Sequence, residues 1–178
     1  MKEDNIMTRI HSAFFSGSLA LLLGVAANMA VAAQGENFVD EASAKGLAEI
    51  ETGKLALEKG TSEDVRVFAQ KMIDDHTKAN QELVEIVSQN EDLQLSDNAT
   101  LMDRAKAMIL SLRDGENFDK AYANNQVVAH EQTIELYQNY IDEGENADLK
   151  AFAQATLPTL RQHLEHAKQL AAAHGSNQ

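Results

Sequence analysis

Four stretches of this 178-residue chain repeat their apolar side chains at the α-helical period of about 3.6 residues, and none shows the two-residue alternation of a strand. On one face of the second stretch fall Val65, Phe68, Ala69, Met72, Ile73, His76, Ala79 and Leu83. The fourth aligns Leu149, Phe152, Ala153, Thr156, Leu157, Leu160, His163, Leu164, Ala167 and Leu170. In the third, Phe118, Tyr122, Val127, Ile134, Tyr137 and Ile141 mark the apolar face, with His130 beside or within it. The first offers a narrow seam of Phe38, Ala42, Gly46, Glu49, Gly53 and Ala56, flanked by Ile50 and Leu57. Glycine lowers helix propensity by about 1 kcal/mol, so two of them on one seam point to a closely approaching neighbour helix. The chain reads as all-α.

Turn residues set the expected boundaries. The first helix is expected to start after Asn37 as N-cap, with Asp40 in its first turn, and to stop at Gly60. The second opens at Thr61 or Ser62, with Glu63 and Asp64 near its N-terminus, and runs to about Asn90. A polar connection over residues 91–98 leads to a shorter helix ending near Arg113 and closed by Gly115. The third long helix follows Asn117 and ends near Gly144; the fourth is capped by Asn146 and reaches about Ala173. Pro158 removes an amide inside that last helix, which predicts a kink.

Residues 1–33 follow a different plan: a short charged start with Lys2 and Arg9, an apolar run over residues 13–27, and the small-residue stretch 30–33. This is the layout of a cleaved secretory signal, and the apolar run is shorter than the roughly 20 residues of a membrane span. The expectation is an exported, periplasmic domain over residues 34–178, without stable membrane insertion once the signal is removed. The absence of cysteine excludes a lipidated N-terminal cysteine and a disulfide scaffold. Lys2, Arg9, Glu3 and Asp4 cancel, so the formal charge of −13 belongs to the domain. Such an acidic surface disfavours nucleic acid and anionic membranes as partners and is compatible with cations.

His76, His130 and His163 interrupt three separate helical stripes, and Glu49 stands at a comparable phase of the first. Each buried polar atom without a partner costs roughly 1 to 3 kcal/mol, so four such side chains converging on one interior point to a shared site. Three imidazoles and a carboxylate suit one zinc, iron, manganese or copper ion. Asp75 is placed to orient a neighbouring imidazole, Tyr137 to pack near His130, and His166 lies at the flank of its stripe. Di-iron carboxylate bundles carry Glu-x-x-His pairs. Here Ile73, Val127 and Leu160 occupy the positions three before the histidines, which favours a single metal.

The helices also read as two related halves. Glu36-Asn37-Phe38 recurs as Glu116-Asn117-Phe118, and VRVFAQ at 65–70 as LKAFAQ at 149–154. Glu49 and His130 lie 11 and 12 residues beyond the first repeated phenylalanine of each half; His76 and His163 lie 8 and 11 beyond the second. Four motifs arrive in order: AEIETGKLA at 48–56, FAQKMIDDH at 68–76, QVVAHE at 126–131 and LPTLRQHL at 157–164. Through them the sequence resembles the exported bacterial proteins grouped as domain of unknown function 4142. The resemblance implies a ferritin-like four-helix bundle, to which the turn pattern and the recurring segments add an antiparallel arrangement with a short extra helix in the crossover between two duplicated helical hairpins. It also implies a periplasmic location and a suspected role in metal binding, with no agreed activity.

No nucleophile constellation, phosphate loop or basic patch is visible. The leading expectation is a metal-binding bundle that handles metal or oxidative stress and is not an enzyme. Two alternatives stay open: an interaction module whose histidines form a buried polar cluster, and a metal-dependent oxidase or peroxidase.

Overall fold

The computed structural model describes residues 18–110 and 118–175. Along these run α1 (Ser18–Lys59), α2 (Glu63–Ser88), α3 (Asn98–Leu110), α4 (Phe118–Glu143) and α5 (Ala147–Gly175), with no strand among the described residues. The fold is all-α. The chain divides into two compact units, residues 1–30 and 31–178, and the core lies within the second. No helix among the described residues is long and apolar enough to cross a membrane.

Helix α1 corrects the expected start after Asn37. A cap residue must leave helical geometry, whereas the alanine- and leucine-rich run before Asn37 favours propagation, and each added residue gains a hydrogen bond at no new nucleation cost. Asp40, released from a first-turn role, instead accepts the amide of Ser96 at 2.9 Å and its hydroxyl as well. That contact ties α1 to the segment leading into α3, whose Leu101 and Ala105 are buried. The expected end of this helix at Arg113 and Gly115, and the Asn117 cap, lie outside the described residues.

The remaining boundaries follow their turn chemistry. Ser62 caps α2 with extended backbone, φ −94° and ψ 146°. Its hydroxyl turns away from the helix amides and donates to Asp119 at 2.9 Å. Asp119, in the first turn of α4, also accepts the amides of Thr61 and Ser62, clamping the α1–α2 turn against α4. Asn146 accepts the amides of Asp148 and Leu149 at 3.1 and 3.0 Å, as an N-cap should. Pro158 lies within α5, which continues as helix on both sides. Pro158 and Gln154 are both exposed, so the carbonyl that loses its amide donor is on the solvent side.

Two apolar clusters fill the interior. One joins Phe38 and Val39 of α1, Leu83 of α2, Tyr137 and Tyr140 of α4, and Phe152 and Leu157 of α5. The other joins Ala56, Phe68 and Met72, Tyr122, and Ala167 and Leu170 from the same four helices. Shared membership fixes the helix directions: α1 and α5 run from the first cluster to the second, α2 and α4 from the second to the first. Each large side chain so buried contributes roughly 1.5 to 3 kcal/mol. The α1 seam lets α2 come close. A Cβ on Gly53 would stand 2.9 Å from Ile73 Cγ1 and 3.0 Å from the carbonyl oxygen of Ala69, and one on Gly46 would strike the Asn80 side chain.

On α4, Tyr122, His130 and Tyr137 are buried as expected, and the rest of the buried line lies about one residue step from the expected one. Gln126, Thr133 and Tyr140 are buried, while Val127, Ile134 and Ile141 are only partly so. The polar residues can occupy the interior because they find partners there, Gln126 on Glu49 and Thr133 on the Ala129 carbonyl.

Candidate metal centre

Between the two apolar clusters the helices turn polar. Glu49 lies between Ala42 and Ala56 on α1, His76 between Met72 and Leu83 on α2, His130 between Ala123 and Tyr137 on α4, and His163 between Leu160 and Ala167 on α5. All four are buried, His130 and His163 with 1% of their surface exposed. The three imidazoles form a nearly equilateral triangle, with ring centroids 5.7 Å apart for His76–His130, 5.6 Å for His76–His163 and 5.4 Å for His130–His163. One ring nitrogen from each lies within 4.8 Å of the others, so the three could hold one ion between them.

Hydrogen bonding fixes two tautomers. The carbonyl oxygen of Gln126, one helical turn before His130, accepts from His130 Nδ1 at 2.9 Å; a carbonyl only accepts, so the proton is on Nδ1 and the Nε2 lone pair is free. Asp75 Oδ2 accepts from His163 Nε2 at 2.7 Å, which frees Nδ1 of that ring. His130 Nε2, His163 Nδ1 and His76 Nε2 are all buried and find no hydrogen-bond partner among the described residues. Carboxylates and backbone carbonyls on the far nitrogen of a metal-ligating histidine orient the ring and raise its basicity. Asp75 is in turn held by Lys71 at 2.7 Å. Burial alone would raise the Asp75 pKa, but hydrogen bonds from Lys71 and His163 outweigh it and hold the carboxyl below its ordinary value, hence ionised.

Burial disfavours protonation of two of the three rings. Burial, reinforced by the charges of His130 and His163, drives the His76 pKa well below its ordinary 6.5. Burial likewise brings His163 down to about 4, against the opposing pull of Asp75. Three imidazolium charges at this spacing would repel by roughly 3 kcal/mol per pair at an effective dielectric near 20. Left empty, three orphan nitrogens cost roughly 1 to 3 kcal/mol each, a large share of the 5 to 15 kcal/mol by which an ordinary domain is stable. A Lewis-acidic ion offsets both penalties, and the donor set fits one.

Glu49 is buried near the trio but its Oε2 accepts from Gln126 Nε2 at 2.6 Å. Burial raises its pKa, and the charge of His130, the Gln126 bond and the charge of Lys45 offset that only in part. Two cavities flank this layer. One of about 20 Å³ is lined by His76, His163, Asp75, Asn80, Thr133 and Tyr137, among others. The other, about 480 Å³, opens between α1 and α4 over Glu49, Thr52 and Thr133.

The neighbours named from sequence take several roles. Asp75 orients an imidazole as expected, that of His163. Tyr137 packs edge-on to Phe38, with ring centroids 5.1 Å apart, and lines the small cavity with His76 and His163. His166 stands 4.9 Å edge-on to Phe68, outside the triangle. Two participants were missed: Gln126, which bridges Glu49 and His130, and Lys71, which holds Asp75. Gln126 could have been found by stepping back one turn from His130 on a buried face.

Fold and site together define an all-helical protein with a buried three-histidine cluster. The family model described as Domain of unknown function (DUF4142) matches residues 20–170, and the chain belongs to that family. A solved structure described as "CopM in the Cu(II)-bound form" is similar in fold, with TM-score 0.63 and 13% identity, covering 78% of this chain and 96% of that one. Among curated proteins none matches this chain.

Proposed function

We propose that this protein is an exported metal-binding protein that holds one transition-metal ion on His76, His130 and His163 and serves in metal handling. The observation that carries the reading is the set of three buried, unpartnered imidazole nitrogens, two of them already oriented by Gln126 and Asp75. An all-imidazole set suits copper, zinc or iron over magnesium or calcium, and among divalent first-row ions copper binds such sites most tightly. The fold-level likeness to a protein solved with Cu(II) bound supports copper as the first ion to test. Glu49, from the fourth helix of the layer, adds a buried carboxyl group within electrostatic reach of His130.

The connectivity supports a ferritin-like bundle, since α1 with α2 and α4 with α5 form antiparallel hairpins joined by one long crossover that contains α3. The apolar positions three before each histidine support one metal over two. Export rests on the signal-like layout of residues 1–33, and the N-terminal sequence of the periplasmic form tests it. For the metal, calorimetric titration of chelator-treated protein with Cu(II) and with Zn(II) is expected to give one equivalent bound. His76→Leu and His163→Leu are expected to abolish the heat. Undiminished binding by both variants would overturn the reading.

A further inference from the structure

The histidine triangle is enclosed by helices, so an ion must have a path to it, and the two flanking cavities differ in what they can pass. A divalent ion with six waters occupies about 180 Å³, taking about 30 Å³ per water. The pocket beside Asp75, at about 20 Å³, has room for a single water. The groove between α1 and α4, at about 480 Å³, has room for the hydrated ion and reaches Glu49, while none of the three histidines lines it. Its floor carries Glu49, which is 5% exposed. Glu49 is within electrostatic reach of His130, the imidazole that α4 carries. Gln126 connects the two residues, through its side chain to Glu49 and through its backbone carbonyl to the His130 ring. Its Oε1 is buried without a hydrogen-bond partner among the described residues. Exposed Asn124 and Gln132 add amide groups along the walls. Lys45, partly buried in the same groove, opposes a cation, and the surrounding net charge of −13 outweighs it at long range.

From this arrangement we infer that the α1–α4 groove is the port through which a hydrated transition-metal ion reaches the histidines, with the Glu49 carboxylate as its first protein contact. The inference rests on the metal reading above. Glu49 leaves Gln126 to meet the incoming ion, which sheds water there and passes to the imidazoles, and Gln126 then retakes the carboxylate. Glu49 is thus a positioning residue for uptake, and the ion's resting ligands are the histidines.

The chain lacks cysteine, so the groove can be plugged at one place. Val128 lines it and is 53% exposed, while Val84, 49% exposed on α2, does not line it. Full-length V128C and V84C are each capped with a bulky maleimide, and uptake of Cu(II) and Zn(II) by the metal-free proteins is followed by stopped-flow. Capped V128C is expected to load at least about ten-fold more slowly than wild type at unchanged final stoichiometry, and capped V84C at the wild-type rate. Glu49→Gln, close to isosteric, is expected to slow loading and still reach one equivalent. Wild-type loading by capped V128C would overturn the port. Failure of Glu49→Gln to hold metal at any time would overturn the uptake role and make Glu49 an obligatory ligand. If wild type itself takes up no metal, the underlying metal reading falls, and the port with it.

Discussion

Asp75 Oδ2 accepts the Nε2 proton of His163 at 2.7 Å, and this one bond turns the buried Nδ1 lone pair of His163 toward use as a ligand. Asp75 lies on α2 immediately before His76, so the residue that orients one ligand also joins the helices of two. Carboxylates in this position typically carry a 10- to 100-fold effect on metal affinity. Asp75→Ala is expected to weaken binding by about that factor in a competition assay with a chromophoric chelator. Lys71→Met, which removes only the exposed end of the chain of contacts, is expected to change affinity less than about three-fold. Equal losses in both variants would mean that surface charge matters and imidazole orientation does not.

Acid should destabilise the metal-free protein in a defined window. The folded state holds His163 at a pKa of about 4 and His76 well below its ordinary value, whereas the unfolded chain protonates both near 6.5. The unfolded state therefore binds more protons, and stability falls as pH drops from about 6.5 toward 4. For His163 alone the shift corresponds to roughly 3 kcal/mol. Urea midpoints of metal-free protein at pH 7.5 and pH 5 are expected to differ accordingly, and His163→Leu should shrink the difference. A flat profile would contradict the burial of neutral imidazoles.

The close approach of α1 and α2 predicts an unusual sign for a glycine substitution. Gly53→Ala gains about 1 kcal/mol of helix propensity. Against this, the new Cβ would sit 3.0 Å from the Ala69 carbonyl oxygen, a backbone atom that cannot rotate away, and 2.9 Å from Ile73 Cγ1. Overpacking of this kind costs roughly 1 to 3 kcal/mol, so the variant is expected to have a lower urea midpoint. A higher midpoint would show that the helices stand further apart.

Asp119 gathers the Thr61 and Ser62 amides and the Ser62 hydroxyl at the α1–α2 turn. Burial works against its ionisation, but these bonds outweigh it and lower its pKa, so the stabilisation is complete above the ordinary carboxylate range and is lost as pH falls below it. Asp119→Ala is expected to cost about 2 to 3 kcal/mol and to speed hydrogen exchange at the Thr61 and Ser62 amides. Unchanged exchange at those amides would exclude the clamp.

The long periodic stripes made most of the fold legible. On α2 and α5, Phe68, Met72, Leu157 and Leu160 are buried where period alone places them, and Asn146 caps where its side chain chemistry suggests. The α1 start was not legible, because Asn37 can serve equally as a cap or as an exposed mid-helix residue, and the run before it decides. On α4, Tyr122, His130 and Tyr137 are buried as period places them, but hydrophobicity says nothing of Gln126, whose place inside depends on a carboxylate 77 residues away in sequence. The three histidines were visible as a phase coincidence. Their tautomers depend on contacts from another helix and from a backbone carbonyl, which no stripe encodes.

Elemental analysis of protein purified without chelator, beside a His76, His130 and His163 triple leucine variant, tests the central claim most directly. The account predicts about one equivalent of a transition metal in the native protein and none in the folded variant. A native protein that carries no metal, and takes up none when supplied with Cu(II) or Zn(II), would contradict it.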